Sequence, residues 1–144
     1  MTRDEAEIAT DGTTDGTPAE IQSRKFQREL AAGLTALVLL SVLADAEDDL
    51  YGYEIARRLS SEDAPAAPFK QGALYPVLRN MSGAGLLTSR VVPSYSGPPR
   101  RYYRITPLGR EVLAAWRDTW LSTRAFVDTI VAPSSSSAAQ EMPS

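Results

Sequence analysis

The chain contains no cysteine and no histidine. Without thiols there are no disulfides and no thiolate nucleophile. Without imidazole there is neither the usual neutral-pH base nor the usual zinc ligand. Any hydrolytic chemistry would rest on carboxylates, Lys or Ser. The internal acids gather at Asp45–Asp49 and Glu62–Asp63, in predicted surface turns, with no G-x-S-x-G and no phosphate loop. No catalytic site, metal or cofactor is therefore expected. Long apolar runs are missing too. The longest, Ala31 to Ala44, is about fourteen residues and includes Gly33, Thr35 and Ser41, whereas a membrane span needs about 18–20. It reads as a buried helix. The opening MTRDEAEIA is acidic and lacks the apolar core of a secretory signal, which points to the cytoplasm and to no membrane partner.

Large apolar residues are scarce at both ends. Residues 1–20 mix acid, Thr and Gly around a single large aliphatic, Ile8, and residues 132–144 (APSSSSAAQEMPS) are mainly Ser, Ala and Pro. Neither stretch buries enough surface to offset chain entropy, so both are expected to be disordered tails. The folded part is then 21–131, with residues 21–106 as one domain and 107–131 as an appended helix. The net charge of −3 conceals its layout. Within 21–131 there are fourteen Lys/Arg against eleven Asp/Glu. Between Asp63 and Glu111 there is no acid at all, while Lys70, Arg79, Arg90, Arg100, Arg101, Arg104 and Arg110 all lie there. A field of one sign fits a polyanion partner, whereas an ordinary solvated face interleaves both signs.

Hydrophobic periodicity and punctuation give the order of elements. LTALVLLSVL is apolar nearly all round, and the first helix is predicted from Ser23 to Ala46. Asp48 and Asp49 then precede a second helix, LYGYEIARRLSSE, with Leu50, Tyr51, Ile55 and Leu59 inward and Arg57 and Arg58 outward. DAPAAP connects to a third helix within the segment 71–87, QGALYPVLRNMSGAGLL, with Gly83 and Gly85 supplying its stop. Pro76 requires that helix either to begin near Gly72–Ala73 or to kink at Tyr75–Pro76. LLTSRVV and RRYYRIT flank PSYSGPP as a hairpin with a longer loop. Thr106 and Pro107 open a long last helix as N-cap and N1. This is the order of a winged helix-turn-helix with a C-terminal helix: mainly α, with a β-hairpin wing. No internal repeat is present.

In the third helix Leu74, Val77, Leu78 and Met81 make one stripe, and Gln71, Tyr75 and Arg79 the opposite one, free of acid. A winged helix-turn-helix places this helix in the major groove, with its hairpin on the backbone or in the minor groove. Gln pairs with adenine, Arg with guanine, and Tyr bonds phosphate or packs on a thymine methyl. Gln71, Tyr75 and Arg79 are the candidate base readers, Lys70 a phosphate contact, and Gly72 a point of close backbone approach. Arg90, Tyr95, Ser96, Gly97, Arg100 and Arg101 are the wing candidates. Against this stands ordinary structure: Tyr75 as half-buried packing, and Arg79 paired with an acid of the second helix.

In the last helix Leu113, Trp116, Trp120, Thr123, Val127 and Ile130 recur at steps of three and four, a heptad-like seam about 36 Å long. The small domain cannot cover it, and burying a Trp is worth about 2–3 kcal/mol. The seam is expected to meet its own copy, with Leu34 and Leu37 of the first helix joining the interface. A homodimer would present two reading heads about 34 Å apart, matching an inverted-repeat operator in double-stranded DNA.

YGYEIARRL, ALYPVLRNMSGAGLL and GPPRRYYRITPLGREVL together resemble the hallmark segments of the PadR family of transcriptional regulators, over about residues 30–131. The resemblance implies a homodimeric winged-helix repressor, often released by a small ligand. It also implies that Trp120 matches a position where short-tailed members hold flat aromatic compounds between subunits. Trp116 and Trp120 thus have two readings, a planar hydrophobic ligand site or ordinary interface packing. One departure is visible: the family's Leu-Glu-x-x-Gly-Leu is here Met81-Ser82-Gly83-Ala84-Gly85-Leu86, and the extra glycine weakens the helix end by up to about 1 kcal/mol. The expected function is sequence-specific transcriptional control. The alternative is a winged-helix protein–protein module with a basic docking face.

Overall fold

The structure is a computed structural model that describes residues 16–59 and 71–132. Helix α1 spans Pro18–Asp45, strand β1 Leu50–Tyr51, α2 Gly52–Leu59, α3 Gln71–Gly83, β2 Leu87–Ser94, β3 Gly97–Ile105 and α4 Pro107–Val131. The strands form one antiparallel sheet in the order β1-β3-β2. This is a winged helix-turn-helix domain extended at both ends by long helices.

Helix α1 begins five residues before the expected start. Thr17 accepts from the Glu20 N–H at 3.1 Å, and Glu20 Oε1 accepts from the Thr17 N–H at 2.9 Å, a complete capping box with Pro18 at the first helical position. Residues 18–20, which composition assigns to the tail, are therefore helical. Residues 1–15 and 133–144 lie outside the described part. At 28 residues α1 is about 42 Å long, and by length and composition alone it would span a bilayer. Its C-terminal half instead supplies the core, with Leu39, Leu40 and Leu43 fully or nearly buried.

Leu50 and Tyr51 do not open a helix, as their sequence suggests; they form β1, paired with Tyr103 and Tyr102 of β3. Strand alternation sends Leu50 into the core and Tyr51 to the other face. The start of α2 is served by Glu54, whose Oε1 accepts from the Tyr51 N–H at 3.1 Å. Asp49 does not cap the helix; it bonds Arg90 and Arg104 of the hairpin.

Helix α3 keeps Pro76 in its second turn and buries Leu74, Leu78 and Met81. Gly85 ends it at φ +84°, a conformation that disfavours a side chain. The Leu86 N–H bonds Met81 O at 2.9 Å and the Gly85 N–H bonds Ser82 O at 3.1 Å, the paired bonds of a Schellman turn. The hairpin has only a two-residue tip, Tyr95–Ser96, not the longer loop expected. Pro93, Pro98 and Pro99 fall inside the strands. β2 is an edge strand whose register is broken between Val92 and Ser94, and β1 pairs only with Tyr102 and Tyr103, so none of these prolines removes a required donor.

As the sequence predicts, Thr106 caps α4: its Oγ1 accepts from the Gly109 N–H at 2.9 Å and donates to Gly85 O at 2.7 Å. Leu39, Ile55, Leu74, Leu78, Leu87, Tyr103, Ile105 and Leu113 meet in one core. Leu113, which the heptad pattern assigns to the dimer seam, belongs to this core at 2% exposure, because the first turns of α4 pack on the sheet.

Candidate nucleic-acid interface and dimer seam

Two faces of the small sheet divide the cations. Leu87, Ser89 and Val91 of β2 stand opposite Ile105, Tyr103 and Arg101 of β3, and this inner face runs into the core. Thr88, Arg90 and Val92 stand opposite Arg104, Tyr102 and Arg100 on the outer face.

On the inner face Arg101 donates to Ser89 Oγ at 3.1 Å. Tyr103 links it to α3. Burial pushes the Tyr103 phenol above its ordinary value; Arg101 draws it down, the Tyr75 hydroxyl adds to the rise, and Arg79 draws it down again. Arg101, Tyr75 and Arg79 are thus each within electrostatic reach of the Tyr103 hydroxyl. Arg79 and Arg101 are exposed, and Gly72 is exposed on the same helix as Arg79. Exposed cations of α3 and of the hairpin therefore both lie around Tyr103, on stretches that carry no acid.

Tyr75 does not stand on an open outer face. It is half-buried against the core, and its ring lies over Gly52, where an added Cβ would be 2.5 Å from Cε1 and 2.6 Å from the hydroxyl oxygen. It is a spacer between α2 and α3, which is why Gly52 must lack a side chain. The sequence signal is the glycine in YGYE, which periodicity alone does not explain. Gln71 begins α3, and Lys70 lies outside the described residues.

Arg90 and Arg100, expected with Arg101, are on the opposite side of the sheet. Arg90 bonds Asp49 at 3.0 Å and Arg100 lies 4.5 Å over the Tyr51 ring. The alternation of RRYYRIT contains the division of Arg100 from Arg101, whereas the side of Arg90 is set by its pairing with Tyr102. Tyr95 projects fully into solvent at the tip, with Ser96 and Gly97 also exposed. Ser89, which Arg101 bonds, also belongs to the inner face, although it does not stand out by spacing in the sequence.

Helices α1 and α4 run side by side and enclose an open cleft of about 470 Å³. Gly33, Leu34 and Leu37 line one side, and Trp116, Trp120 and Thr123 the other, with Glu29 at the margin. The two Trp residues do not stand free in water as expected of a monomer: both are partly buried, and Trp116 packs on the core. Beyond the cleft the helices are bare: Phe26 is exposed on α1, and Phe126, Val127 and Ile130 on α4. Leu30 and Thr123, at the cleft, are exposed as well. Among the described residues no group of Asp and Glu is placed to hold a metal ion.

Fold and surface together define a winged-helix DNA-binding protein. Residues 39–115 match the Transcriptional regulator PadR-like family. The transcriptional regulator Rv3488 of Mycobacterium tuberculosis is 39% identical over 93 residues, covering 62% of this chain and 75% of that one. Among solved structures, the PadR-like transcriptional regulator BC4206 from Bacillus cereus superposes at a TM-score of 0.58 with 25% identity, covering 72% of this chain and 97% of its own. A PadR-family transcriptional regulator from Eggerthella lenta gives 0.61 with 26% identity, covering 87% and 97%. The chain belongs to the PadR-like family, a family of DNA-binding transcriptional regulators rather than of enzymes.

Proposed function

We propose that the protein is a homodimeric, sequence-specific repressor of the cytoplasm that reads an inverted-repeat operator and is released by a planar hydrophobic ligand. The observation that carries the DNA reading is that two exposed cations, Arg79 of α3 and Arg101 of the hairpin, both act on the same buried phenol, Tyr103. A groove-entering helix and a wing present cations on one side, from stretches without a carboxylate. Arg79, with Gln71 at the helix start, reads base edges; Arg101, Ser96, Gly97 and Tyr95 of the hairpin meet the backbone. Lys70 is assigned a phosphate contact on sequence grounds alone.

The bare ends of α1 and α4 support the dimer. Each large apolar side chain covered there contributes about 1.5–3 kcal/mol, and several on each copy are left uncovered by the domain itself. Leu34, Leu37, Trp116, Trp120, Thr123, Val127 and Ile130 form the seam. The cleft between Gly33 and Trp120 supports the ligand: it is walled by two indoles, and its volume lies within the range of small-molecule sites. A compound wedged there changes the angle between α1 and α4 and hence the separation of the two α3 helices. Every bidentate pairing with a base that this movement breaks costs about 1–3 kcal/mol.

Selection of bound sequences from random duplex DNA tests the reading. An inverted repeat with half-sites about 10 base pairs apart is expected. Equal binding to all duplexes would contradict it and favour a basic face that docks an acidic protein.

A further inference from the structure

The hairpin reaches past the core. Opposite and beyond Tyr103 the inner-face residues Ser89, Val91 and Arg101 are all exposed, so among the described residues no core side chain supports the outer half of the wing. Its support is on the other face. Asp49 accepts from Arg90 Nε at 3.0 Å and from Arg104 Nε at 2.5 Å. The Arg90 guanidinium lies 5.4 Å from the Tyr102 ring centre, Tyr102 is 5.3 Å from Tyr51, and Arg100 covers Tyr51 at 4.5 Å. Asp49 and Tyr51 belong to the junction between α1 and α2; the other four residues belong to the hairpin.

We infer that Asp49 is a positioning residue for DNA binding: with the stack behind it, it braces the wing against the α1–α2 junction and keeps Arg101 in register with Arg79. This rests on the inner face being the DNA face. An isolated exposed ion pair would hold little. Here one carboxylate, only 10% exposed, is shared by guanidinium groups from two neighbouring strands, and those groups are themselves 62% and 61% exposed. The acid is the fixed end and the hairpin is what it holds. The guanidinium–ring contacts carry the restraint outward along the strands.

The test separates position from charge by sign. Asp49→Asn makes the protein more positive by one unit, so charge alone predicts tighter DNA binding with a steeper salt dependence. The brace predicts the reverse: affinity for the selected operator falls about fivefold or more, and discrimination against a scrambled duplex falls with it. Amides of residues 89–101 should exchange about tenfold faster, while those of α3 keep their protection. Asp49→Glu, which retains the carboxylate, recovers part of both effects. Should Asp49→Asn fail to fold, Arg90→Gln removes one arm of the brace and is read the same way. Unchanged or tighter operator binding with unchanged hairpin exchange overturns the inference. If the parent protein itself does not discriminate among duplexes, the DNA reading is what fails, and hairpin exchange still decides the brace.

Discussion

Replacing Gly109 by alanine should unfold this protein more easily, although alanine is the better helix former. A Cβ at Gly109 would stand 2.3 Å from the Leu86 carbonyl oxygen and 2.7 Å from Ile105 Cγ1, far inside contact distance. The same carbonyl accepts the Thr106 N–H at 3.0 Å, so it cannot retreat without straining the joint between hairpin and α4. Forcing a methyl into packed surroundings costs typically about 1–3 kcal/mol, and the loosened hydrogen bond adds about 1. The helix propensity of alanine returns at most about 1 kcal/mol. A net loss of roughly 1–3 kcal/mol lowers the midpoint of a domain of about 100 residues by roughly 4–8 °C per kcal/mol. Gly83→Ala is the internal control, because an added Cβ there meets nothing within 4 Å. The same chemical change should then be neutral or stabilise by up to about 1 kcal/mol. Thermal unfolding followed by far-ultraviolet circular dichroism, at one protein concentration for all variants, measures both. A Gly109→Ala variant as stable as its parent would refute the close packing of α4 on the Leu86 turn.

In competition binding to the selected operator, Arg79→Ala should relax preference at one base position at a cost of about 1–3 kcal/mol, whereas Arg101→Ala should weaken all duplexes alike and lower the salt slope by about one. The opposite assignment would mean that reader and anchor are exchanged. Leu113→Ala should cost about 2–5 kcal/mol of stability in urea unfolding, as a core deletion does. Ile130→Ala, at 60% exposure, should leave the domain's stability nearly unchanged and instead raise the dimer dissociation constant in sedimentation. Burial raises the Asp49 carboxyl, but the Arg90 and Arg104 hydrogen bonds and charges outweigh it, leaving the carboxyl below its ordinary value. A depressed folded value stabilises above the unfolded value and is lost as pH falls through the folded one. Unfolding midpoints of parent and Asp49→Asn should therefore differ most at neutral pH and converge in acid below about pH 4. A gap that widens on acidification would contradict the ion pairs.

Much of the architecture is legible in the sequence because helices of several turns declare themselves by period. Leu74, Val77, Leu78 and Met81 define the inner stripe of α3, and Thr106-Pro107 marks the start of α4. Shorter or mixed signals fail for identifiable reasons. A two-residue strand has no period, so Leu50 and Tyr51 merge with the helix that follows. Thr17 and Glu20 form a capping box, yet their small and acidic neighbours read as tail. The prolines flanking Tyr95 and Ser96 read as loop, because their tolerance depends on which strand edge is unpaired. Tyr75 lies four residues from both Gln71 and Arg79, but its orientation is decided by the space above Gly52, a tertiary fact. The separation of Arg101 from Arg100 is present in the alternation of β3, whereas that from Arg90 depends on the register of β2 against β3. The cleft between Gly33 and Trp120 is not, since it exists only once two distant helices lie side by side.

The proposed function requires two copies, joined through α1 and α4, to hold their α3 helices one DNA turn apart. Because the chain has no cysteine, Asn80→Cys, on the exposed side of α3, gives one spin label per copy without further changes. Pulsed dipolar spectroscopy on the free protein should then show a main distance of about 34 Å, broadened by roughly the length of the label. Absence of any dipolar signal at concentrations that saturate the operator, or a distance near twice that value, would contradict the paired arrangement.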